Sequence, residues 1–302
     1  MRQPWWDASS CSPDLYLDAE SLLELFEKEN TTAAAGVPTI WLNVIDCLEK
    51  HPGRWRLPRM RVIMGGAAPP LALIRKLEQY GLKVQQGWGL TESSPQATTN
   101  QLKAHMRDWP TERKQELQSR AGIAVPLVDL RVVHASGEVP RDGTTMGEVQ
   151  LRGPWVAASY YKLPEEKDKW TEDGWFHTGD VGTVDAQGYL TIVDRTKDLI
   201  KSGGEWISSV DLENALMGHQ AVKEAAVIAV PHPCWGERPV ACVVLKDGSK
   251  TTDEQLREWL EPRFAKYWLP DAYVYLQQIP RTATGKFLKS ALREQLKDLK
   301  LS

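Results

Sequence analysis

The apolar positions of the first third of the chain fall into short runs separated by glycine turns. "PRMRVIMGG" (Pro58 to Gly66) reads as a strand ending in a Gly turn, and "PPLALIRKLEQYG" (Pro69 to Gly81) as a helix capped by Gly81. "LKVQQGWG" (Leu82 to Gly89) returns as a strand. This alternation predicts a parallel α/β layer. From about Ala121 the runs become shorter. "LVDLRVV", "GEVQLRG" and "GYLTIVD" predict strands of a small β-rich subdomain, separated by turns such as Arg141-Asp142-Gly143. After Asp194, "SSVDLENALMG" predicts a helix, "EAAVIAV" and "PVACVVL" two strands, and "TTDEQLREWLEPRFAKYW" one long helix opened by a Thr252/Gln255 capping box. "AYVYL" and "FLKSALREQLKDL" add a strand and a last helix, which makes this C-terminal part an α+β unit of about one hundred residues.

Composition narrows the picture. The 302 residues are 42% hydrophobic and 25% charged, enough to bury one large core or two ordinary ones. A net charge of -3 lacks the cationic excess that gives a sequence-independent grip on nucleic acid. Cys11, Cys47, Cys234 and Cys242 are scattered without a CxxC pair, so a reducing, cytoplasmic setting is expected. The longest apolar runs are strand-length, and neither an export signal nor a membrane span is expected. The six histidines are dispersed, with only His232 and Cys234 close in sequence, and predict no zinc site.

Four segments carry candidate chemistry. In "QQGWGLTESSP", Gly87-Trp88-Gly89 lets backbone approach a ligand, and a hydroxyl (Thr91) then stands beside a carboxylate (Glu92). "GGAAPP" is a second Gly turn at a strand end, where open α/β sheets bind ligands. "EDGWFHTGDVG" presents Asp180 between glycines, an acceptor suited to a vicinal diol, although such a tripeptide is also an ordinary turn. In "IPRTATGKFLKSALRE", Lys286 stands in a Pro/Thr/Gly loop before a helix, where a solvated loop lysine is the plain alternative.

In this order, the four segments resemble the adenylate-forming family of acyl-CoA synthetases, luciferases and peptide-synthetase adenylation domains. "GVPTIW", "QGWGLTESSP", "DRTKDLIKSGGEWISSVDLENALMGH" and "PRTATGKFLK" are most similar to bacterial medium- to long-chain fatty acyl-CoA synthetases. The resemblance implies a two-step reaction with ATP, a fatty acid and CoA: acyl-AMP and pyrophosphate form first, then the CoA thiol displaces AMP. It further implies that Gly65, Gly66 and Ala67 lie along adenine and that Gln86, Gly87 and Trp88 close its pocket. Trp88 stands where many members have Tyr. Thr91 would touch the α-phosphate, Glu92 would hold Mg²⁺, and Asp180 and Arg195 would hold ribose. Lys286 would supply positive charge to adenylation alone. Lys201, Glu205 and Trp206 would meet the adenylate, Gly203 and Gly204 would make room for the pantetheine thiol, and Trp41 would wall the acyl entrance.

The domain organisation implied is residues 1–120 and 121–194 for the α/β layer and β-rich subdomain of a large domain, a hinge at 195–199 pivoting on Lys197, and a mobile lid at 200–302. The family's Ser/Thr/Gly-rich phosphate loop ending in Pro-Lys-Gly has no counterpart in these residues. The chain is therefore expected to resemble the second half of such an enzyme, with apolar strand edges exposed and adenylation impaired. A second chain supplying the first half, as in a split synthetase, and a non-catalytic AMP- or CoA-binding module are the competing expectations.

Overall fold

The computed structural model describes residues 17–134, 136–281, 287–299 and 301. Three five-stranded sheets follow one another along the chain. Helix α1 (Ala19–Lys28) starts at Asp18, whose carboxylate accepts the Ser21 N–H at 2.9 Å. Strand β1 (Ala33–Gly36), helix α2 (Pro38–Lys50), strand β2 (Met60–Met64), helix α3 (Leu71–Gln79) and strand β3 (Leu82–Trp88) then build the expected parallel layer. Short β4 (Thr98–Thr99), helix α4 (Thr111–Gln118) and β5 (Ile123–Ala124) extend it antiparallel, giving the order β1-β2-β3-β4-β5.

Along β2, Met60, Val62 and Met64 alternate inward against Trp41, Val44 and Ile74 of the helices, while Arg61 and Ile63 point away. The outward face also carries exposed Ala33, Ala35 and Lys83. A parallel sheet ordinarily has helices on both faces, so this one-sided layer is unusual. The expected apolar exposure takes the form of a face holding one large apolar side chain, Ile63, with an edge strand of alanines and glycine beside it.

The second sheet is antiparallel: β6 (Asp129–His134), β7 (Gly137–Glu138), β8 (Gly147–Arg152), β9 (Phe176–Val184) and β10 (Leu190–Arg195), in the order β10-β9-β8-β6-β7. Thr178-Gly179-Asp180 lies inside β9, not in the turn its composition suggested. The third unit contains β11 (Ile200–Ser202), β12 (Glu205–Ile207), α5 (Ser209–Met217), β13 (Val222–His232), β14 (Gly236–Leu245), α6 (Asp253–Leu260), β15 (Ala272–Tyr275) and α7 (Lys289–Gln295). Its sheet is buried on both faces. Ala225, Val227, Ala241 and Val243 face a core with α5 and α6, and Ala226, Ile228, Val240 and Cys242 face one with Leu292 of α7. The Thr252/Gln255 capping box forms as expected, but α6 ends at Leu260. Pro262 lacks the N–H and crowds the preceding turn, so the predicted long helix is one of eight residues followed by a 3₁₀ turn at Lys266–Trp268. Among the described residues no helix is long and apolar enough to cross a membrane.

Candidate active site

The register of the parallel strands brings the first candidates together. Gly36 pairs with Met64 and Met64 with Gln86, so the ends of β1, β2 and β3 are level and their following loops open on one edge. Gly65 lies so close to Gly87 that a Cβ there would be 3.4 Å from the Gly87 carbonyl oxygen. Gly89 has less room still. A Cβ would fall 2.0 Å from the Pro95 carbonyl oxygen, so only glycine permits this turn. Gln86 departs from expectation: its side chain is buried, and its amide nitrogen donates to Ser119 O at 2.6 Å and Arg120 O at 2.8 Å, fastening a neighbouring loop.

Asp180 is the centre of the cluster. Its carboxylate is 4% exposed; Oδ2 accepts the Trp88 indole N–H at 3.0 Å and Oδ1 faces Arg195 Nε at 3.0 Å. Arg195 is the direct cross-strand partner of Asp180, and its side chain is 51% exposed, so the guanidinium faces outward from a buried anchor. The expected diol acceptor is thus already bonded by its own chain through both oxygens. The strand around it is fixed by Thr178 Oγ1, which donates to Val149 O at 2.7 Å and accepts the Asp180 N–H at 3.1 Å.

Thr91 and Glu92 lie in a 3₁₀ turn immediately after β3. Glu92 Oε1 accepts the Tyr160 phenol at 2.5 Å, and its backbone carbonyl accepts Ala157 N–H at 2.7 Å. Burial, reinforced by the Glu92 carboxylate, pushes the Tyr160 phenol up to about 12. It therefore remains a donor at neutral pH. Tyr160 carried no signal in the sequence, where it is one of two adjacent tyrosines in a loop; its neighbour Tyr161 is 85% exposed. Trp41 is inside the first core, stacked on Phe26 at 5.9 Å. Its indole nitrogen finds no hydrogen-bond partner among the described residues and lies beside Gly36, at the same edge as Gly65.

The remaining candidates lie in the C-terminal unit. Lys201 and Trp206 pair across the β11–β12 hairpin, whose turn is Gly203-Gly204. Trp206 packs on His134 of β6 with ring centroids 5.5 Å apart, so this pose holds the hairpin against the second sheet. Gly203 lines a cavity of ≈ 550 Å³ with His232, Trp235, Arg257, Lys266 and Tyr267. Arg238 in its wall is fully engaged with Asp271, Ser202 and the Tyr267 and Leu269 carbonyls. Arg257, which faces Glu261 Oε1 at 3.6 Å, and Lys266 also line the cavity, together with Glu205. Lys197 is exposed in the turn between β10 and β11. Lys286 lies outside the described residues.

One trio outside this cluster was not foreseen. Donor atoms of Glu20, Cys47 and His51 come within 4.8 Å of one another. Arg54 occupies both Glu20 oxygens and burial raises the Cys47 thiol, both of which oppose a cation.

The profile of the AMP-binding enzymes matches residues 9–161, and that of the AMP-binding enzyme C-terminal domain matches residues 211–286. A long-chain-fatty-acid–CoA ligase of Thermus thermophilus is 52% identical over 294 residues, which is 96% of this chain and 54% of the relative. A 3-methylmercaptopropionyl-CoA ligase of Ruegeria lacuscaerulensis is 41% identical over 95% of this chain and 52% of its own length. In three dimensions the chain is similar to ATP-bound MatB from Rhodopseudomonas palustris, with a TM-score of 0.79, 30% identity, and coverage of 93% of this chain and 54% of that one. The chain thus spans about half the length of the curated relatives it matches.

Proposed function

Because this chain belongs to the AMP-binding enzymes, we propose that it carries the acyl-adenylate and CoA sites of an acyl-CoA ligase acting on a fatty acid. The observation that carries the reading is Asp180, buried and held between Trp88 and Arg195 from three different strands. Such a carboxylate is rigid before any ligand arrives, which lowers the ordering cost of binding. We infer that this carboxylate accepts the ribose hydroxyls, with the outward Arg195 guanidinium meeting the nucleotide beside them. Gly65, Gly66, Ala67, Gly87 and Trp88 give adenine a flat, close backbone wall.

Glu92 fits a hard divalent cation. With Oε1 engaged by Tyr160, Oε2 supplies one carboxylate oxygen, the number Mg²⁺ commonly takes from protein when phosphate and water complete its shell. When bound, Mg²⁺ would neutralise phosphate charge during adenylation, and Lys286 would add a second cation there. Thr91 beside it hydrogen-bonds the α-phosphate. Trp41 closes the acyl end, and the two ligase relatives, named for a long-chain acid and a short thioether acid, share the scaffold with different acids.

The cavity beside Gly203 suits the nucleotide end of CoA, with Trp235 and Tyr267 as aromatic faces and Arg257 and Lys266 for phosphates. The thiol sulfur then attacks the acyl-AMP carbonyl carbon, the bond to the phosphate oxygen breaks, AMP leaves as the anion and the thiol proton passes to solvent. With Trp206 on His134, Lys201 and Trp206 reach the adenylate only after the C-terminal unit turns at Lys197. On this reading residues 1–120 and 121–194 belong to the large domain, 195–199 form the hinge and 200–302 the lid. The relatives carry the matched segment within one chain about twice as long, which gives no support to a separate second chain.

Dodecanoyl-AMP and CoA mixed with the full chain test the reading. Thioester is expected, with Lys286→Ala unchanged in rate because that lysine serves adenylation. Failure to form thioester together with failure to bind AMP contradicts it.

A further inference from the structure

Asp194 and Arg195 are neighbours on β10, and successive strand residues point to opposite faces. Arg195 reaches the Asp180 seat. Asp194, 3% exposed, reaches across the Thr196–Asp198 turn in the other direction. Its Oδ2 accepts both the backbone N–H of Ser209 at 2.7 Å and the Ser209 hydroxyl at 2.6 Å, at the first residue of α5. Its Oδ1 accepts the backbone N–H of Arg195 at 2.7 Å. A carboxylate at a helix N-terminus is favoured by the orphan N–H groups and by the helix dipole. Next to it, Ser208 Oγ donates to Val193 O at 2.9 Å, a second bond across the same turn.

The connection continues. Lys289, the first residue of α7, places Nζ 2.6 Å from Ser209 Oγ and 2.6 Å from Glu213 Oε1. The Lys289 and Glu213 side chains are only 11% and 9% exposed. Glu213 Oε1 also accepts the Val227 N–H of β13 at 2.7 Å. One turn further along α7, Arg293 pairs with Asp198 at 2.6 Å. A short α7 is thereby fastened to the turn at Asp198 and to α5 at Ser209 and Glu213, and a buried polar chain runs from the nucleotide strand through α5 to α7 and the central sheet.

A network that served only to stabilise the C-terminal unit would involve residues of that unit. This one ends on Asp194, whose strand belongs to the second sheet and carries Arg195. We propose that, in the pose with Trp206 on His134, Asp194 is a positioning residue: through Ser209 and Lys289 it couples ligand occupancy at the Arg195–Asp180 seat to the order of α5 and α7. The coupling rests on the proposed nucleotide reading of that seat. Physically, a ligand that draws Arg195 shifts the β10 backbone whose N–H is bonded to Asp194, and the fully engaged carboxylate transmits the shift to Ser209.

Hydrogen exchange read by mass spectrometry on the full chain, with and without AMP, tests this. Without ligand, Ser209→Ala is expected to raise exchange in residues 209–213 and 289–295 by about tenfold, and Ser209→Thr, which keeps the hydroxyl, to restore it. With saturating AMP, the wild-type chain is expected to slow exchange in those two segments by about fivefold, and Ser209→Ala to bind AMP within about twofold of wild type while losing that response. Asp194→Asn serves as the second variant and should lose the response as well. AMP binding with no effect on α5 and α7, or a full response in Ser209→Ala and Asp194→Asn, overturns the coupling alone. No AMP binding by the wild-type chain overturns the nucleotide reading and the coupling with it.

Discussion

The first and third sheets contain the same number of strands but treat their faces differently. In the C-terminal unit, successive residues of β13 and β14 enter two cores, one under α5 and α6 and one under α7. Among the described residues, the N-terminal layer packs one face, and the opposite face carries exposed Arg61, Ile63 and Lys83. The sequence composition of the strands follows this. "AAVIAV" is apolar at every position, whereas "MRVIM" breaks the run with Arg61. The difference shows why the C-terminal unit can carry a cavity, a glycine hairpin and a buried ion pair without losing its core, while the N-terminal layer places its loops at a strand edge and leaves one face to whatever meets it.

The largest effect that sharpens this contrast is expected in the doubly covered sheet. Ile228→Ala should lower stability by about 2–5 kcal/mol in urea unfolding, because a closely packed interior cannot collapse around the lost atoms. The exchange rates of the central strands come next. Amides of β14, paired on both sides, should exchange at least about a hundredfold more slowly than those of edge strand β1, since opening the former requires loss of both cores. The smallest change belongs to the bare face. Ile63→Ala, at a position 43% exposed, should shift stability by no more than about 0.5 kcal/mol in the same urea experiment. A cost at Ile63 equal to that at Ile228 would mean the two sheets are covered alike and would break the comparison.

Much of this was legible in the chain. The β2–α3–β3 rhythm, the Thr252/Gln255 capping box and the Gly turns at the strand ends are local, and local signals survive folding. What the sequence left hidden depends on register or on distant partners. The Trp88–Asp180 bond joins residues 92 apart in sequence, and nothing near either one announces it. Thr178-Gly179-Asp180 has turn composition, and Gly179 does take a positive φ of 69°, yet the stretch is an irregularity inside β9: the β8 register shifts past it, and Asp180 pairs with Arg195 of β10. Tyr160 looked like any loop tyrosine until the loop folded over Glu92. Gln86, placed against the nucleotide by resemblance, is buried instead, its amide nitrogen turned to the Ser119 and Arg120 carbonyls, partners more than thirty residues away in sequence. The predicted long helix overruns α6 because the Thr252/Gln255 capping box marks only where a helix starts, while Pro262 sets where it ends.

The central claim is that Asp180, anchored by Trp88 and Arg195, is a nucleotide seat. Calorimetric titration of AMP into the full chain, repeated on Asp180→Ala with its unfolding midpoint checked, addresses it directly. The account predicts saturable binding by the wild-type chain and a loss of at least tenfold in affinity, about 1.4 kcal/mol, in the variant. Equal affinity in the two proteins, or no heat of binding in either, would contradict it.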